Sequence, residues 1–217
     1  TTIDGNFIAE CGNCVELLLA SQSCKVTNNL IGGGYNGKSI AATGAEGLLV
    51  AANNVFPRGG SLIELINSTR CSVSANRLAG FYPGMIRLIG TNETLVAANL
   101  IRRQNETYGP FQIYNNSLQE TYGIFRVQGD NNKISNNHFL VDPQGYTAAD
   151  GPIIVINAES GIYNWISDNH YVLAAIPNLQ YVAVRLGSAL TQSKVIYSGS
   201  SAQITDLGAL NAIVPNP

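Results

Sequence analysis

A short pattern of apolar and polar positions recurs along the chain. It consists of an aliphatic residue, two small or polar residues, an asparagine and, one or two positions later, another apolar residue. Seven copies place this asparagine at Asn6, Asn29, Asn53, Asn76, Asn99, Asn137 and Asn169. The first five asparagines are 23 or 24 residues apart, and the last two intervals are 38 and 32 residues. A repeat of this kind is typical of a solenoid built from similar coils.

The length of the repeat indicates which type of solenoid the chain forms. A spacing near 23 residues is too short for paired-helix repeats or propeller blades, and it fits a coil of three short strands joined by turns. We therefore predict an all-β fold, a right-handed parallel β-helix of about eight coils, with residues 1–217 forming a single domain. The coils are expected to stack about 4.8 Å apart around one apolar core. Each corner asparagine suits a turn with positive φ, and its side chain is predicted to hydrogen-bond to the next coil.

A second set of strands carries one charged residue between two apolar ones. Examples are Ile63-Glu64-Leu65 and Ile86-Arg87-Leu88, which fall in consecutive coils. Alternation places the charged side chains on the outer face, so we predict that Glu64 and Arg87 pair. Two interpretations of this column remain open: an ordinary pair on the sheet surface, or a face that meets another subunit or a ligand.

The two long intervals contain insertions, one near 102–121 and one near 142–151. Insertions in solenoids become loops on one side of the column, which is frequently the binding side. The first insertion has the arginine, amide and aromatic content of a sugar-binding loop. The same composition also fits a solvated cap over the edge of a coil.

Composition narrows the classes of function. Charged residues make up 12% of the chain and the net charge is −2, which argues against nucleic acid or an anionic membrane as a partner. No apolar run approaches the roughly 18 residues that a membrane helix needs. No N-terminal leader is recognisable, so an export signal is absent or already removed.

The cysteines and histidines indicate no metal or cofactor site. The chain has four cysteines, Cys11, Cys14, Cys24 and Cys71. We predict four free thiols, because stacking places Cys24 and Cys71 about 9–10 Å apart, beyond disulfide reach. The two histidines, His138 and His170, follow corner asparagines in similar registers and are predicted to stack on each other.

Several longer stretches are more distinctive than the repeat itself. They are AECGNCVEL at 9–17, GLLVAANNVFPRG at 47–59, RCSVSANRLAGFYPGM at 70–85, IRRQNETYGPF at 101–111 and YGIFRVQGDNN at 122–132. Together they resemble the inulin fructotransferases, over roughly residues 3 to 140, and the resemblance thins toward the C-terminus.

The resemblance implies a fold and an activity. Members of that family are right-handed β-helices that form homotrimers, and they are bacterial and generally secreted. They cut β-2,1-fructan (inulin) from the chain end without a cofactor and release a cyclic difructose anhydride, while close relatives hydrolyse that dianhydride. Members are about twice as long as this chain. The resemblance therefore implies the C-terminal part of such an enzyme, associated with an N-terminal segment of the same protein.

The chemistry needs two carboxyl groups. One protonates the departing fructosyl oxygen, and the other removes a proton from the substrate hydroxyl that attacks the anomeric carbon. The resemblance implies that Glu10 is one of the pair and that its aspartate partner precedes Thr1. Asp4 is the nearest alternative within the chain, but its spacing from Glu10 is wrong.

The repeat register adds candidates for substrate binding. Positions equivalent to Glu10 in later coils, and their neighbours, include Arg58, Tyr82, Arg102 and Arg103. Arginine and tyrosine beside a carboxylate suit a sugar-binding groove. The alternative for Glu10 is a surface glutamate paired with Arg58.

Three hypotheses follow. The first is an inulin fructotransferase that works by intramolecular fructosyl transfer. The second is a difructose-anhydride hydrolase, which differs in how water is admitted. The third is a non-catalytic β-helix module that binds carbohydrate or serves a structural role.

Overall fold

The chain winds through three parallel sheets, A, B and C, and contributes a strand to each in turn as it climbs. The computed structural model describes residues 1–9, 11–18, 22–32, 37–56, 60–104, 120–142, 151–175, 179–197 and 204–216. All strand pairing in these ranges is parallel between neighbouring coils, as in Val26 opposite Val50 and Val73 opposite Val96. The parallel β-helix predicted from the repeat is confirmed.

The strands are numbered in chain order and fall into the three sheets as follows. Sheet A contains β1 (Thr2–Asp4), β4 (Lys25–Thr27), β7 (Leu49–Ala51), β10 (Ser72–Ser74), β13 (Leu95–Ala97), β16 (Lys133–Ser135), β19 (Trp165–Ser167), β22 (Lys194–Tyr197) and β24 (Ala212–Pro215). Sheet B contains β2 (Phe7–Ile8), β5 (Leu30–Gly32), β8 (Asn54–Phe56), β11 (Arg77–Gly80), β14 (Leu100–Gln104), β17 (His138–Asp142) and β20 (His170–Leu173). Sheet C contains β3 (Val15–Leu18), β6 (Ile40–Thr43), β9 (Ile63–Ile66), β12 (Ile86–Ile89), β15 (Phe125–Gln128), β18 (Ile153–Ile162), β21 (Tyr181–Thr191) and β23 (Ile204–Asp206). A 3-10 helix spans Glu120–Tyr122.

The aliphatic position of each repeat points into one continuous core. Val26, Val50, Val73 and Val96 are fully buried and follow one another in register through sheet A. Sheet C contributes a second inward column, such as Ile63 and Leu65, because alternate residues of a strand point to the same face. No single coil can bury these side chains alone, so stacking of successive coils provides the stability.

The corner between sheets A and B, here called the A–B corner, carries the predicted asparagine ladder. Asn76, for example, donates from its side chain to Val50 O at 3.0 Å and to Asn99 Oδ1 at 2.9 Å. Its own Oδ1 accepts the backbone N–H and the side-chain amide of Asn53, each at 3.0 Å. The residue with positive φ, however, is the one before the ladder asparagine, such as Ala75 at 55°. The expectation that the asparagine itself adopts positive φ is therefore wrong by one position, and the asparagine acts through its side chain.

A second ladder, which the repeat did not reveal, runs along the corner between sheets C and A (the C–A corner). There Thr94 N–H donates to Asn132 Oδ1 at 3.1 Å, and Asn132 N–H donates to Asn164 Oδ1 at 3.0 Å. Asn164 N–H continues the chain to Ser193 Oγ at 3.0 Å. Because the rungs differ in residue type, the pattern of aliphatic residues and asparagines does not show them.

The four cysteines are free thiols, as predicted. Cys24 and Cys71 are buried in the core, and Cys11 and Cys14 are half-buried. Within the described ranges, no helix has the length and apolar character needed to cross a membrane.

Candidate functional site

The corner between sheets B and C (the B–C corner) differs from the A–B corner in the length of its connections. In every described coil the A–B turn has two residues, as between β10 and β11. The B–C connection varies from five residues between β11 and β12 to twenty between β14 and β15. Both predicted insertions lie here. The B–C corner therefore shows the widest variation in connection length among the described coils.

The described part of the chain places three of the five predicted site residues. Glu10 and Arg58 lie outside the described residues. Tyr82 is half-buried in the B–C connection that follows β11. Arg102 and Arg103 point to opposite faces of β14, because successive residues of a strand alternate. Arg102 is exposed on the outer face of sheet B, whereas Arg103 is buried at the B–C corner, so only Arg103 joins Tyr82 there.

Arg103 forms a buried ion pair with Glu120. The Nη2 atom of Arg103 lies 2.5 Å from Oε1 of Glu120, and the two side chains are only 4% and 11% exposed. Glu120 is the first residue of the 3-10 helix that follows the long insertion. Removing one partner of such a pair leaves an uncompensated buried charge. The pair therefore fixes where the chain re-enters the column after the insertion.

Tyr122, at the other end of the same 3-10 helix, lies between two arginines of sheet C. Its ring centroid is 5.1 Å from Cζ of Arg87 and 4.1 Å from Cζ of Arg126. Its carbonyl oxygen accepts a hydrogen bond from Asn157 Nδ2 at 3.0 Å. Each guanidinium is attracted to the negative face of the ring. The 3-10 helix thus joins the B–C corner to the outer face of sheet C.

The predicted pair of Glu64 and Arg87 is confirmed on that outer face. Oε2 of Glu64 accepts from Nη1 of Arg87 at 3.0 Å, and Oε1 forms a salt bridge with Nζ of Lys38. Ser61 Oγ adds a hydrogen bond at 3.3 Å. Although it lies on the outside of a sheet, the Glu64 side chain is 2% exposed, so the ordinary surface pair considered for it does not describe this site.

The environment of Glu64 keeps its carboxylate ionised. Burial alone would raise the pKa of Glu64, but hydrogen bonds and charges from Lys38 and Arg87 lower the pKa below its usual value. A carboxylate in this state is a poor proton donor at neutral pH. Glu64 therefore fits a structural role, in which it binds the side chains of Lys38 and Arg87 on the outer face of sheet C, rather than a role in general acid catalysis.

A second carboxylate on the outer face of sheet C is held in the same way. Oε2 of Glu159 accepts from Arg126 Nε at 2.5 Å and from Gln128 Nε2 at 2.9 Å. Burial lowers the pKa of Arg126, but its interactions with Tyr122 and Glu159 outweigh this and raise the pKa overall. Glu159 lies where the register between β15 and β18 shifts, a local irregularity that the sequence pattern did not indicate.

Asp4 does not lie at the corner that contains these groups. It ends β1 at the A–B corner, is exposed, and accepts hydrogen bonds from Thr27 Oγ1 at 2.6 Å and Asn28 Nδ2 at 2.9 Å. These two hydrogen bonds lower its pKa. A carboxylate at the A–B corner is not placed to act together with a glutamate that follows β2.

Among the described residues, no group of three or more His, Cys, Asp or Glu side chains is arranged to hold a metal ion. The described groups at the B–C corner are Tyr82 and the buried pair of Arg103 and Glu120, and further arginines and glutamates lie on the outer face of sheet C. These groups donate and accept hydrogen bonds in the way that sugar hydroxyls require.

The fold and the B–C corner together define a parallel β-helix protein whose B–C corner is polar and variable in length. Comparison with known families identifies the family to which it belongs. A model of the "Beta helix repeat of Inulin fructotransferase" matches residues 98–217, more than half of the chain. The chain belongs to this family.

Relatives extend the match over the whole chain. A curated "Inulin fructotransferase [DFA-I-forming]" from Arthrobacter globiformis is 33% identical over 223 residues, which cover 99% of this chain and 52% of the relative. The crystal structure of DFA-IIIase from Arthrobacter chlorophenolicus A6 in complex with GF2 is 39% identical, with a TM-score of 0.90 over 100% of this chain and 53% of that one. The complex of that enzyme with DFA-III is 34% identical, with a TM-score of 0.87 over 97% and 54% of the two chains. This chain therefore spans about half the length of the relatives it matches.

Proposed function

We propose that this protein is an inulin fructotransferase, which cleaves β-2,1-fructan by intramolecular fructosyl transfer and releases a difructose anhydride. The observation that carries the proposal is the 33% identity to a curated enzyme of this activity over 99% of the chain. A second support is the B–C corner, where Tyr82 supplies an aromatic ring and a hydroxyl of the kind that sugar-binding sites use.

The proposed mechanism needs two carboxyl groups and no cofactor. One protonates the oxygen of the departing fructosyl unit, and the other takes the proton of the substrate hydroxyl that attacks the anomeric carbon. We assign Glu10 to this pair and place its partner in a segment upstream of Thr1. Glu64 is not assigned to the pair, because its side chain is only 2% exposed and its two oxygens are already paired with Lys38 and Arg87.

Roles in substrate binding are proposed for Arg58, Tyr82, Arg102 and Arg103. Of the two arginines on β14, Arg103 is expected to act indirectly, because its guanidinium is already paired with Glu120. Arg102 is exposed and free of such burial, but it faces outward from sheet B. Among the candidates in the described part of the chain, we expect Tyr82, in the B–C connection, to contribute most to substrate binding.

We propose that the working form is a secreted bacterial homotrimer that also contains the segment equivalent to the rest of the relatives' length. The outer face of sheet C is the surface proposed to meet another subunit. Its support is the column of charged residues on this parallel sheet, Glu64, Arg87 and Arg126, which follow one another in successive coils. Light scattering of the protein at its full natural length should give the mass of three copies; the mass of one copy would refute this assembly.

A second candidate function is hydrolysis of a difructose anhydride. A specific observation favours it: the solved structures matched at 34% and 39% identity are of DFA-IIIase, with DFA-III and GF2 bound. The two activities share the fold and two-carboxylate chemistry, and they differ in whether a sugar hydroxyl or water attacks.

Product analysis separates the candidates. The protein at its full natural length is incubated with inulin and, separately, with a difructose anhydride, and products are identified by chromatography. A cyclic disaccharide from inulin supports the transferase, and products formed only from the dianhydride support the hydrolase. No turnover of either substrate would refute both and favour a non-catalytic carbohydrate-binding β-helix.

A further inference from the structure

The two histidines of the chain form a close pair at the top of sheet B. Nδ1 of His170 lies 3.3 Å from Nε2 of His138, and the ring centroids are 4.6 Å apart in an edge-to-face arrangement. The residues are direct register partners on β17 and β20. The stacking predicted from the sequence is confirmed, and it brings two metal-ligating nitrogens together on the surface.

We propose that His138 and His170 form a surface site for a divalent transition-metal ion of the zinc type, with water completing its coordination. Zinc binds imidazole nitrogen at about 2.0–2.1 Å, so two nitrogens of a tetrahedral site lie about 3.3–3.4 Å apart. The observed separation of 3.3 Å matches this spacing without movement of either strand.

The fold does not itself require imidazoles at these positions. The same outward column of sheet B contains Phe7, Leu30, Asn54, Arg77 and Leu100 in the lower coils. Aromatic, aliphatic, amide and cationic side chains are all accepted there. Only the last two rungs carry neighbouring side chains that both bind transition metals.

The exchange of a hydrogen bond for a metal ion balances in protons. With both rings neutral, one of the two facing nitrogens donates its hydrogen to the lone pair of the other. When the ion binds, that proton moves to the far nitrogen of its own ring, so both facing nitrogens present lone pairs. Each ring keeps one N–H, and no oxidant or reductant is needed.

The proposed ion would tie together the last two strands of sheet B. β20 has a single strand neighbour in this sheet, β17, so its other edge is unpaired within the described chain. The pair sits just after the A–B corner, at the opposite end of the strands from the B–C corner. The ion is therefore predicted to stabilise the column and to take no part in the proposed sugar chemistry.

Zinc binding to the whole protein tests the proposal. Thiols are first alkylated, because Cys11 and Cys14 are half-buried and also bind zinc. Competition with a chromophoric zinc indicator then compares the natural protein with His138→Asn/His170→Asn. We expect one more zinc ion per chain in the natural protein, and binding about tenfold or more weaker in each single variant. Equal binding by the natural protein and the double variant would overturn the proposal.

A thermal measurement provides a second test. Zinc is expected to raise the Tm of the natural protein and not that of the double variant, because a ligand that binds only the folded state stabilises it. If the double variant does not fold, His170→Asn alone serves for comparison, because His170 is exposed on the edge strand. An equal zinc-induced shift in both proteins would contradict the site.

Discussion

The A–B corner and the B–C corner solve the same problem in different ways. Each must turn the chain while satisfying the polar groups that the bend leaves behind. At the A–B corner one buried asparagine side chain per coil bonds to the next, and the turn keeps a constant length. At the B–C corner, the polar groups are single pairs such as Arg103 with Glu120. The regular corner supplies a repeated scaffold, and this leaves the other corner free to vary in length and chemistry.

The difference is also electrostatic. The amide side chains of the ladder are neutral, so identical residues can stack in successive coils without charge repulsion. A buried ion pair needs a specific partner of opposite charge, because removing one partner leaves an uncompensated buried charge that destabilises the fold. At the A–B corner, a substitution should therefore lower the free energy of unfolding more when it interrupts the middle of the ladder than when it removes an end. On the B–C side, each substitution should affect only the ion pair to which the residue belongs.

The largest effect is expected from breaking the ladder in its middle. Asn76→Ala removes two donated and two accepted hydrogen bonds. The backbone N–H of Asn53 and the carbonyl of Val50 lose these bonds in a buried place, while Asn99 Oδ1 keeps the backbone N–H of residue 76. We expect a loss of about 4 kcal/mol in the free energy of unfolding, measured by chemical denaturation. Asn6→Ala, at the exposed end of the ladder, is the control and should cost about 1 kcal/mol. Equal losses would show that the ladder is not cooperative in the way described.

A smaller effect is expected from breaking a buried ion pair. Glu64→Ala leaves Arg87 and Lys38 without their shared carboxylate and should lower the free energy of unfolding by about 3 kcal/mol. The control is Glu46→Ala, which breaks the exposed pair with Arg70 and should cost at most about 1 kcal/mol. A Glu64 variant as stable as the Glu46 variant would remove the distinction between buried and exposed pairs.

The same pair predicts a pH dependence. Because the pKa of Glu64 is lowered in the folded state, its ionised form contributes stability above the unfolded value, and this contribution is lost as pH falls through the folded value. The stability difference between the natural protein and Glu64→Gln should therefore be largest at neutral pH and shrink below about pH 4. Denaturation curves between about pH 7 and about pH 3 measure it. A difference that stays constant over this range would contradict the assigned ionisation.

The smallest effect concerns the turn itself at the A–B corner. Ala75 adopts a φ of 55°, a left-handed conformation that costs alanine about 1–2 kcal/mol. Ala75→Gly should raise the free energy of unfolding by about 0.5–1 kcal/mol, after the entropy cost of glycine is subtracted. Ala79→Gly, in strand β11, serves as the control and should destabilise by a similar amount. Destabilisation by both substitutions would mean that the turn is not strained.

The sequence was sufficient to predict the repeating part of the molecule. The 23-residue spacing sets the register, so Val50 above Val26 and Arg87 beside Glu64 follow from counting. Contacts across an insertion do not follow from counting. Glu120 lies 17 residues from Arg103 on the far side of a non-repeating segment, and only the three-dimensional structure pairs them. The register shift beside Glu159 is likewise a local event without a periodic signal.

The candidate site, too, could be predicted only in part from the sequence. Register and resemblance placed Tyr82 and Arg103 at one corner, but strand alternation separates Arg102 from Arg103. The repeat pattern did not predict the ladder at the C–A corner. Its members share the capacity to form hydrogen bonds but differ in residue type: Thr94, Asn132, Asn164 and Ser193. The sequence signal for this ladder is a small hydrogen-bonding side chain of any type at the repeat period.

The central proposal is that fructosyl transfer takes place at the B–C corner with Glu10 as one of its two carboxyl groups. The most direct measurement is the rate of difructose-anhydride formation from inulin by Glu10→Gln, at the full natural length of the protein. Glu93→Gln, an exposed glutamate at the C–A corner, is the matched control. We predict that Glu10→Gln abolishes turnover while its Tm is unchanged and that Glu93→Gln keeps the natural rate. A Glu10→Gln protein that still forms the anhydride at the natural rate would contradict the account.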